Sequence, residues 1–379
     1  MSLLSIGITV FAQPNDAERV NQHRVSNPRS PAQEAGAENV PLRRLATSKA
    51  DWVKTQRPAV LRAWTGILGK LEPNAQDLQW FDKVPRVREI ERTEMPHYTR
   101  IHVELALEKD FWQPSLLLLP RGFKGKRPAV IAWTSTTPDW RKPEEWWGAW
   151  LAERGFVVLT GWSHIKNYRG DRSFRNAVSE KVYERFGRWA GLSRMVWDVR
   201  QQARFLAARS DVDGKRIGFI GMSLSAKTAI YVAAFAPEVY ATVAVDPHIA
   251  LNGATNYYAP WYMDWTRPFD DIQTPEKTVL SLLNTDKSRP CLEHDHHELL
   301  ALAAPRPFLI IGGAGDREDN GGDSDDRQSW GYVNRAAEVY KLLGVPEKLK
   351  FELTKDGHKA NGPNIDPAWQ GWFMRWLRP

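Results

Sequence analysis

Residues 216–234 read RIGFIGMSLSAKTAIYVAA, and this stretch decides the fold class. RIGFI is a short apolar run typical of a buried strand, and LSAKTAIYVAA is typical of a helix. Ser223 lies in the turn between them. The turn follows the pattern G-x-S-x-S, one residue away from the G-x-S-x-G turn that exposes a nucleophilic serine. The stretch therefore predicts a strand, a sharp turn and a helix, with Ser223 as a candidate nucleophile.

The residues two positions before and two positions after such a serine have to be small, because the tight turn presses backbone against the neighbouring strand and helix. Gly221 meets this requirement two positions before the serine. Ser225 stands where the second glycine is usual, and Ala226 follows it. An added hydroxyl is tolerable where that side of the turn has a few ångströms free, so the departure does not argue against the fold.

The remaining sequence predicts an α/β fold around a mostly parallel sheet. Short apolar runs without polar alternation are typical of parallel strands covered on both faces. The candidates are PAVIAWT, FVVLTGW, RIGFIGM, ATVAVD, PFLIIGG and LKFELTK. Before them, residues 100–122 predict an antiparallel hairpin at the N-terminal edge. Helical spacing of apolar residues predicts helices over 191–209, over 329–343 with Gly344 ending the helix, and over 367–377.

In sheets of this kind, ligands bind beyond the carboxyl ends of the strands. Three late strands of the sequence are each followed there by a residue type used in nucleophilic catalysis. The first is Ser223. PFLIIGG leads into the acidic loop AGDREDNGGDSDD, and LKFELTK leads into DGHKANG, which carries His358. A serine hydroxyl needs an imidazole to take its proton, and the imidazole needs a carboxylate to orient it. The order serine, acid, histidine predicts a catalytic triad with Ser223 and His358.

The identity of the acid stays open among three residues. Asp316 is preferred because it follows the strand most closely, with Asp323 next in the same loop. Asp246, at the end of ATVAVD, is the third choice. DREDNG in this loop is similar to the start of a calcium-binding loop, but Arg327 stands where a bidentate glutamate is needed, so calcium is rejected.

An oxyanion hole is expected from backbone N–H groups. One is the N–H of Leu224, which follows the nucleophile, and another comes from Ser135 or Thr136 in the loop after PAVIAWT.

The composition excludes several classes of protein. The net charge is +7 with a pI near 9.3, but basic residues alternate with acidic ones and form no block, which argues against nucleic-acid binding. Cys291 is the sole cysteine and excludes an intrachain disulfide. The cluster EHDHHE, with His294, His296 and His297, has spacings unsuited to one zinc site and is interpreted as a polar loop entering a helix. No metal is expected.

The chain has 18 tryptophans, and several aromatic residues lie in segments expected at the pocket rim. Flat aromatic faces suit stacking on sugar rings, although packing of extra helices on the sheet is the preferred explanation for most of them. The candidate substrate-binding residues are Trp140, Trp146, Trp147, Tyr257, Tyr258, Trp261 and Trp265.

The predicted organisation is a signal-like and polar N-terminal arm over 1–50 and an α/β domain over 51–379. The domain includes a helical extension over 51–95 and a lid-like insertion over 250–300. The opening MSLLSIGITVFAQ favours a secreted or periplasmic protein over a cytoplasmic one, although it lacks a positive n-region. No apolar run reaches the length of a transmembrane helix. The oligomeric state stays open.

The stretches GMSLSAKTAIYVAAF, HDHHELLALAAPRPFLIIGG and DPHIALNGATNYYAPWY resemble dienelactone-hydrolase-like and acetyl-xylan-esterase-like α/β-hydrolases over roughly residues 50–379. The resemblance implies a serine hydrolase that cleaves small or carbohydrate-linked carboxylic esters without a cofactor. Ser225 and the inserted AGDREDN depart from the family pattern. They leave a second hypothesis open, a catalytically impaired scaffold that binds carbohydrate or another partner.

Overall fold

The computed structural model describes residues 42–136, 139–163, 181–251, 262–263, 292–313 and 329–379. All of them belong to the compact unit Gly36–Pro379. The strands are β1 (Val87–Glu94), β2 (Tyr98–Glu108), β3 (Phe111–Pro120), β4 (Arg127–Trp133), β5 (Val157–Gly161), β6 (Val212–Met222), β7 (Ala241–Val245), β8 (Phe308–Gly313) and β9 (Leu349–Thr354). The helices are α1 (Arg57–Leu68), α2 (Ala149–Glu153), α3 (Gly191–Ala207), α4 (Leu224–Phe235), α5 (His296–Leu302), α6 (Ser329–Leu342) and α7 (Asp366–Trp376).

Shorter helical segments accompany these helices. A turn of α-helix, Lys49–Asp51, and a π-helical turn, Trp52–Gln56, lead into α1, and a second π-helical turn, Glu144–Gly148, leads into α2. The 3₁₀ segments are Asp77–Trp80 and Pro346–Lys348.

The described strands form one sheet in the order β1-β2-β3-β5-β4-β6-β7-β8-β9. β1, β2 and β3 pair antiparallel, and β3 also pairs antiparallel with β5. From β5 to β9 every pair is parallel. This is the mostly parallel sheet with an antiparallel N-terminal edge that the sequence predicts. The carboxyl ends of β4, β6, β7, β8 and β9 consequently meet at one rim.

Both faces of the sheet are covered, which explains why its central strands are apolar throughout. In β4, Ile131 and Trp133 contribute to the core shared with α1, α3, α4, α5 and α6. Val130 and Ala132 point the other way, into a core that contains Trp147 and the α7 aromatics. The alternation follows from the two-residue period of a strand.

The predicted helices are confirmed. Residues 191–207, 329–342 and 366–376 are helical. Gly344 has a φ of 78°, in the left-handed region that a residue ending a helix often adopts. No helix in the described segments is long and apolar enough to cross a membrane.

The N-terminal part differs from the prediction at two places. The arm was expected to extend to residue 50, but Leu42, Leu45 and Ala46 are buried in the main core. The extension 51–95 was expected to be helical, but its last residues form β1. β1 is an exposed edge strand, so it lacks the apolar pattern from which strands are recognised.

A buried ion-pair cluster fixes α3 against the antiparallel edge. Arg194 on α3 has no exposed side-chain surface and pairs with Asp198 one turn later. Its guanidinium also lies 2.5 Å from Glu108 at the end of β2, and Arg185 lies 2.5 Å from the same carboxylate. Buried charges are tolerated when each is paired in this way, and removal of one partner is costly.

Candidate functional site

Ser223 occupies a strained turn between β6 and α4. Its φ is 56° and its ψ −111°, a conformation that side chains other than glycine rarely adopt. The turn is held by a hydrogen bond of 2.9 Å from the Ser223 N–H to the Val245 carbonyl of β7. A Cβ added at Gly221 would lie 2.5 Å from the Ser225 carbonyl oxygen, so glycine is required there as predicted.

His358 reaches Ser223 from the loop after β9. Its Nε2 lies 3.0 Å from the Ser223 Oγ. The His358 side chain is 26% exposed, so the imidazole borders solvent on one side. The loop lies close against the end of β8, because a Cβ added at Gly313 would meet the Gly357 carbonyl oxygen at 2.2 Å. Ser223 and His358, far apart in sequence, are therefore in hydrogen-bonding contact.

Asp246 orients the imidazole from the end of β7. Its Oδ2 accepts the hydrogen bond of His358 Nδ1. The other oxygen, Oδ1, accepts from the Gly313 N–H at 3.2 Å. The side chain is 1% exposed, so water hardly competes for it. Both carboxylate oxygens are thus committed, one of them to the histidine.

This contact changes the order of preference among the candidate acids. Asp246 was the third choice, after Asp316 and Asp323. The structure places Asp246 on the histidine, while Asp316 and Asp323 lie outside the described residues. The sequence signal was present, since Asp246 follows the apolar run of β7 with no turn residue between them.

The structure explains why a serine stands at position 225, where the motif usually has a glycine. Its side chain is fully buried, and its Oγ donates to the carbonyl oxygen of Thr134 in the loop after β4. The hydroxyl therefore fills a defined hydrogen-bonding position and not a void. The same peptide unit that accepts this bond carries the N–H of Ser135. Ser225 thereby ties the serine turn to the loop expected to supply an oxyanion donor.

The proposed oxyanion donors lie on the elements expected for them. Leu224 is the first residue of α4, and an N–H at that position has no acceptor within its own helix. Ser135 is buried just beyond the end of β4, and Thr136 beside it is exposed.

Two of the candidate sugar-stacking residues are packing residues. Trp147 is fully buried, and its indole N–H donates to the Ala360 carbonyl at 3.0 Å. Trp140 is 9% exposed and packs on His102 with ring centroids 4.7 Å apart. Neither presents a face for stacking, so this expectation is corrected. Trp146 is partly buried against Trp147.

The other candidates for the stacking wall, Tyr257, Tyr258, Trp261 and Trp265, lie outside the described residues, as does most of the predicted lid 250–300.

The histidine-rich cluster holds α5 in the core. Asp295 caps α5 and accepts a hydrogen bond from the Tyr332 hydroxyl at 3.1 Å, and burial raises its pKa to about 7. His296 contacts the Tyr231 hydroxyl at 2.9 Å, and burial lowers its pKa to about 3. Glu298 accepts from the Trp64 indole at 2.7 Å.

Further partners of Glu298 complete the cluster. Arg43 pairs with its carboxylate, and His294 Nδ1 lies 3.0 Å from it. Burial alone would raise the pKa of Glu298, but His294 and Arg43 hold it below its usual value. Within the described ranges, no three metal-ligating side chains converge on one point.

The sheet order, the serine in a strained turn after β6 and the acid and histidine after later strands define an α/β-hydrolase fold. The family model of the fungal glucuronyl esterases matches residues 180–344, somewhat under half of the chain. A comparison with curated proteins gave no match.

Solved structures with this fold cover most of the chain. A glucuronoyl esterase from Solibacter usitatus is 14% identical with a TM-score of 0.63, covering 87% of this chain and 93% of its own. A CE15 glucuronoyl esterase from Teredinibacter turnerae is 17% identical with a TM-score of 0.63, covering 94% and 93%. A candidate acetyl xylan esterase from Bacteroides fragilis is 14% identical with a TM-score of 0.55, covering 86% and 82%. The predicted α/β-hydrolase fold and the resemblance to esterases that have it are confirmed.

Proposed function

We propose that this protein is a serine hydrolase that cleaves carboxylic esters carried by carbohydrates. One observation carries the proposal: Ser223, His358 and Asp246 form a continuous chain of hydrogen bonds. The contact has the geometry that activates a serine hydroxyl, with a histidine as base and a buried carboxylate as its orienting partner. The glucuronyl esterase family model over residues 180–344 supports the same reaction class.

In the proposed reaction, His358 Nε2 takes the Ser223 proton as Oγ attacks the ester carbonyl carbon. The N–H groups of Leu224 and Ser135 stabilise the oxyanion of the tetrahedral intermediate. The C–O bond to the alcohol then breaks, and the alcohol leaves with the proton held by His358. A water molecule, deprotonated by the same imidazole, attacks the acyl carbon. The bond between the acyl group and Ser223 Oγ then breaks, Oγ takes the proton from His358, and the acid leaves. Asp246 holds Nδ1 protonated throughout, so that Nε2 is free to accept.

The proposed substrate is the ester of a uronic acid within a glycan. The support is the glucuronyl esterase family model and the several glucuronoyl esterases among the structures with this fold. Acetylated xylan is the competing substrate, suggested by the acetyl-xylan-esterase-like relative. Because polymeric glycans do not enter cells, this substrate favours an exported enzyme.

The triad is tested by three variants assayed on p-nitrophenyl acetate. Ser223→Ala removes the nucleophile, and Asp246→Asn leaves the histidine in the wrong tautomer, so we expect kcat to fall by about 10,000-fold in each. Asp316→Asn is the matched control and should keep wild-type turnover. A loss of turnover in Asp316→Asn with activity retained in Asp246→Asn would assign the acid to the loop after β8.

The substrate is tested by comparing kcat/KM on a benzyl ester of glucuronic acid with that on acetylated xylo-oligosaccharides. We expect the glucuronate ester to be the better substrate by at least about tenfold, which corresponds to about 1.4 kcal/mol of transition-state binding. A preference for the acetylated oligosaccharide would replace the uronoyl ester with the acetyl ester. Equal rates on both and on a plain aryl ester would remove the carbohydrate from the proposal.

The hypothesis of an inactive binding scaffold rested on Ser225 and the unusual acid loop. The buried hydrogen bond of Ser225 and the contact of His358 with Asp246 instead support a working site. Labelling with a fluorophosphonate probe separates the two hypotheses. We expect wild-type protein to be labelled at Ser223 and Ser223→Ala to remain unlabelled, whereas an inactive scaffold would leave both unlabelled.

A further inference from the structure

A small cavity lies on the antiparallel edge of the sheet, away from the catalytic residues. Its volume is about 170 Å³. The lining residues are Glu91, Thr93, Arg100, His102, Leu116 and Arg141. Glu91 pairs with His102 and Thr93 with Arg100 across β1 and β2, and Leu116 lies opposite His102 on β3. The side chains therefore form two rows on one face of the three edge strands, closed on one side by Arg141.

The charge of this cavity is carried by two guanidinium groups and one carboxylate. Arg141 stacks on Trp140, with its guanidinium 4.0 Å from the ring centroid, and no described carboxylate pairs with its side chain. Arg100 forms an ion pair with Glu144, with Nη1 3.4 Å from Oε2. Burial and the charge of Arg141 lower the pKa of His102, so this imidazole is neutral at neutral pH. Arg141 is therefore the guanidinium of this cavity that no described carboxylate engages.

The stacking on Trp140 gives Arg141 a fixed position. A guanidinium held over an aromatic ring is oriented before any ligand arrives, so less side-chain entropy is lost on binding. Planar guanidinium groups recognise carboxylates and sulfates through paired hydrogen bonds. Glu91 accepts hydrogen bonds, Thr93 both donates and accepts them, and Leu116 supplies a small apolar surface. A ligand that carries hydroxyl groups next to an anionic group would match these guanidinium, carboxylate and hydroxyl side chains.

The cavity is separate from the catalytic site. β2 and β6 are four strand positions apart in the sheet. At about 4.8 Å for each position, the cavity lies roughly 20 Å from Ser223. Along the strand direction, the cavity lies at the same height as Ala132 and Ile220. The Leu116 N–H donates to the Thr160 hydroxyl on β5, Thr160 pairs with Ala132 on β4, and Ala132 pairs with Ile220 on β6. This level is three residues before the nucleophile, on the half of the sheet that leads to the catalytic rim.

We propose that this cavity is a second binding site, specific for an anionic sugar: a pyranose that bears a carboxylate or a sulfate. Arg141 and Arg100 bind the anionic group, and Glu91 and Thr93 bind ring hydroxyls. The site goes beyond the ester hydrolysis proposed above and uses none of its residues. Its role is to hold a charged unit of a glycan while chemistry takes place elsewhere on the same molecule.

Isothermal titration calorimetry with sodium glucuronate, glucose 6-sulfate and glucose tests this proposal. Wild-type protein should bind one or both of the anionic sugars and bind glucose at least about tenfold more weakly. The two anionic probes decide between a carboxylate and a sulfate. Arg141→Ala should weaken binding of the preferred anion by at least tenfold. Lys142→Ala is the matched control, because Lys142 is adjacent, carries the same charge and pairs with Glu145 outside the cavity.

Arg141→Gln provides a second variant that keeps contact with Trp140 while losing the charge. If both Arg141 variants remain folded and bind the anion as the wild type does, the cavity is not the site and the proposal is overturned. Binding that depends equally on Lys142 would reduce it to general electrostatic attraction, and equal binding of glucose would remove the anionic specificity. Because calorimetry measures binding and not turnover, the effect of Arg141 can be measured whether or not the protein proves to be an esterase.

Discussion

The hydroxyl of Ser225 offers a direct test of how the serine turn and the loop after β4 are coupled. Ser225→Ala removes only the side-chain hydroxyl, which is the donor to the Thr134 carbonyl. The carbonyl stays buried, because Thr134 and Ser225 are both fully buried, and it loses a hydrogen bond that water cannot replace. An unsatisfied buried acceptor costs about 1–3 kcal/mol, which is the expected loss in the free energy of unfolding.

The same substitution should lower activity, because the peptide unit that loses its partner also carries the Ser135 N–H. A displacement of about 1 Å in a catalytic group can cost about 100-fold in rate, so we expect kcat to fall by about 10- to 100-fold with little change in KM. The assays are urea unfolding followed by tryptophan fluorescence, and turnover of p-nitrophenyl acetate normalised to fluorophosphonate-labelled sites.

Ser193→Ala is the matched control. Ser193 is another buried serine whose hydroxyl donates to a backbone carbonyl, that of Lys70. Its Oγ also accepts from the Trp189 indole N–H at 3.2 Å. Ser193→Ala should therefore lose at least as much stability as Ser225→Ala and keep kcat. If Ser225→Ala loses stability but keeps wild-type kcat, Ser225 has only a structural role. If neither stability nor kcat changes, the hydrogen bond to Thr134 contributes nothing.

Three further substitutions test other features. Burial lowers the pKa of His297 in the folded protein to about 4, against about 6.5 in the unfolded chain. As the pH drops from about 6.5 to about 4, only the unfolded ring takes up a proton, so the free energy of unfolding of the wild type should decrease. His297→Leu should make this decrease smaller by about 1.4 kcal/mol per pH unit, measured by urea unfolding at several pH values. The same dependence of unfolding free energy on pH in both proteins would contradict this. Gly313→Ala should displace the Gly357 backbone beside His358 and lower kcat at least tenfold. Gly371→Ala is the control and should keep kcat, because there is open space around its Cβ. Equal kcat values for the two variants would contradict the close contact between Gly313 and Gly357. Arg194→Met should cost about 3–5 kcal/mol of unfolding free energy, because it removes the buried guanidinium that pairs with Asp198 and Glu108. An unchanged urea midpoint would contradict this.

The central sheet was predictable because its strands are buried on both faces. Each of the six predicted parallel strands agrees with the structure to within a few residues, and the predicted hairpin matches β2 and β3. β1 was missed for the opposite reason. All but one of its residues are exposed, so burial imposes no apolar pattern on its sequence.

From the sequence, the acid partner of His358 could only be narrowed to a few residues. Asp246 and Asp316 both come soon after strands, and β7 and β8 are neighbours, so topology brings either one near the histidine. The choice depends on ångström-scale backbone geometry. The Gly313 N–H and the φ of 56° at Asp246 aim that carboxylate, and neither feature leaves a pattern in the sequence. The burial of Trp140 and Trp147 was equally invisible, since a tryptophan in a loop and one in a core look the same in the sequence.

The composition of β1 has a consequence for how copies of this protein meet. β1 is the outermost described strand on its side of the sheet, and an unpaired strand edge is a template on which another chain can add by backbone hydrogen bonding. Five of its eight residues are charged, and a register shift interrupts its pairing between Glu89 and Glu91. Charge and irregularity of this kind discourage the growth of a continuous sheet between molecules. At high concentration, this flank of the molecule should therefore resist the edge-to-edge aggregation to which open sheets are prone.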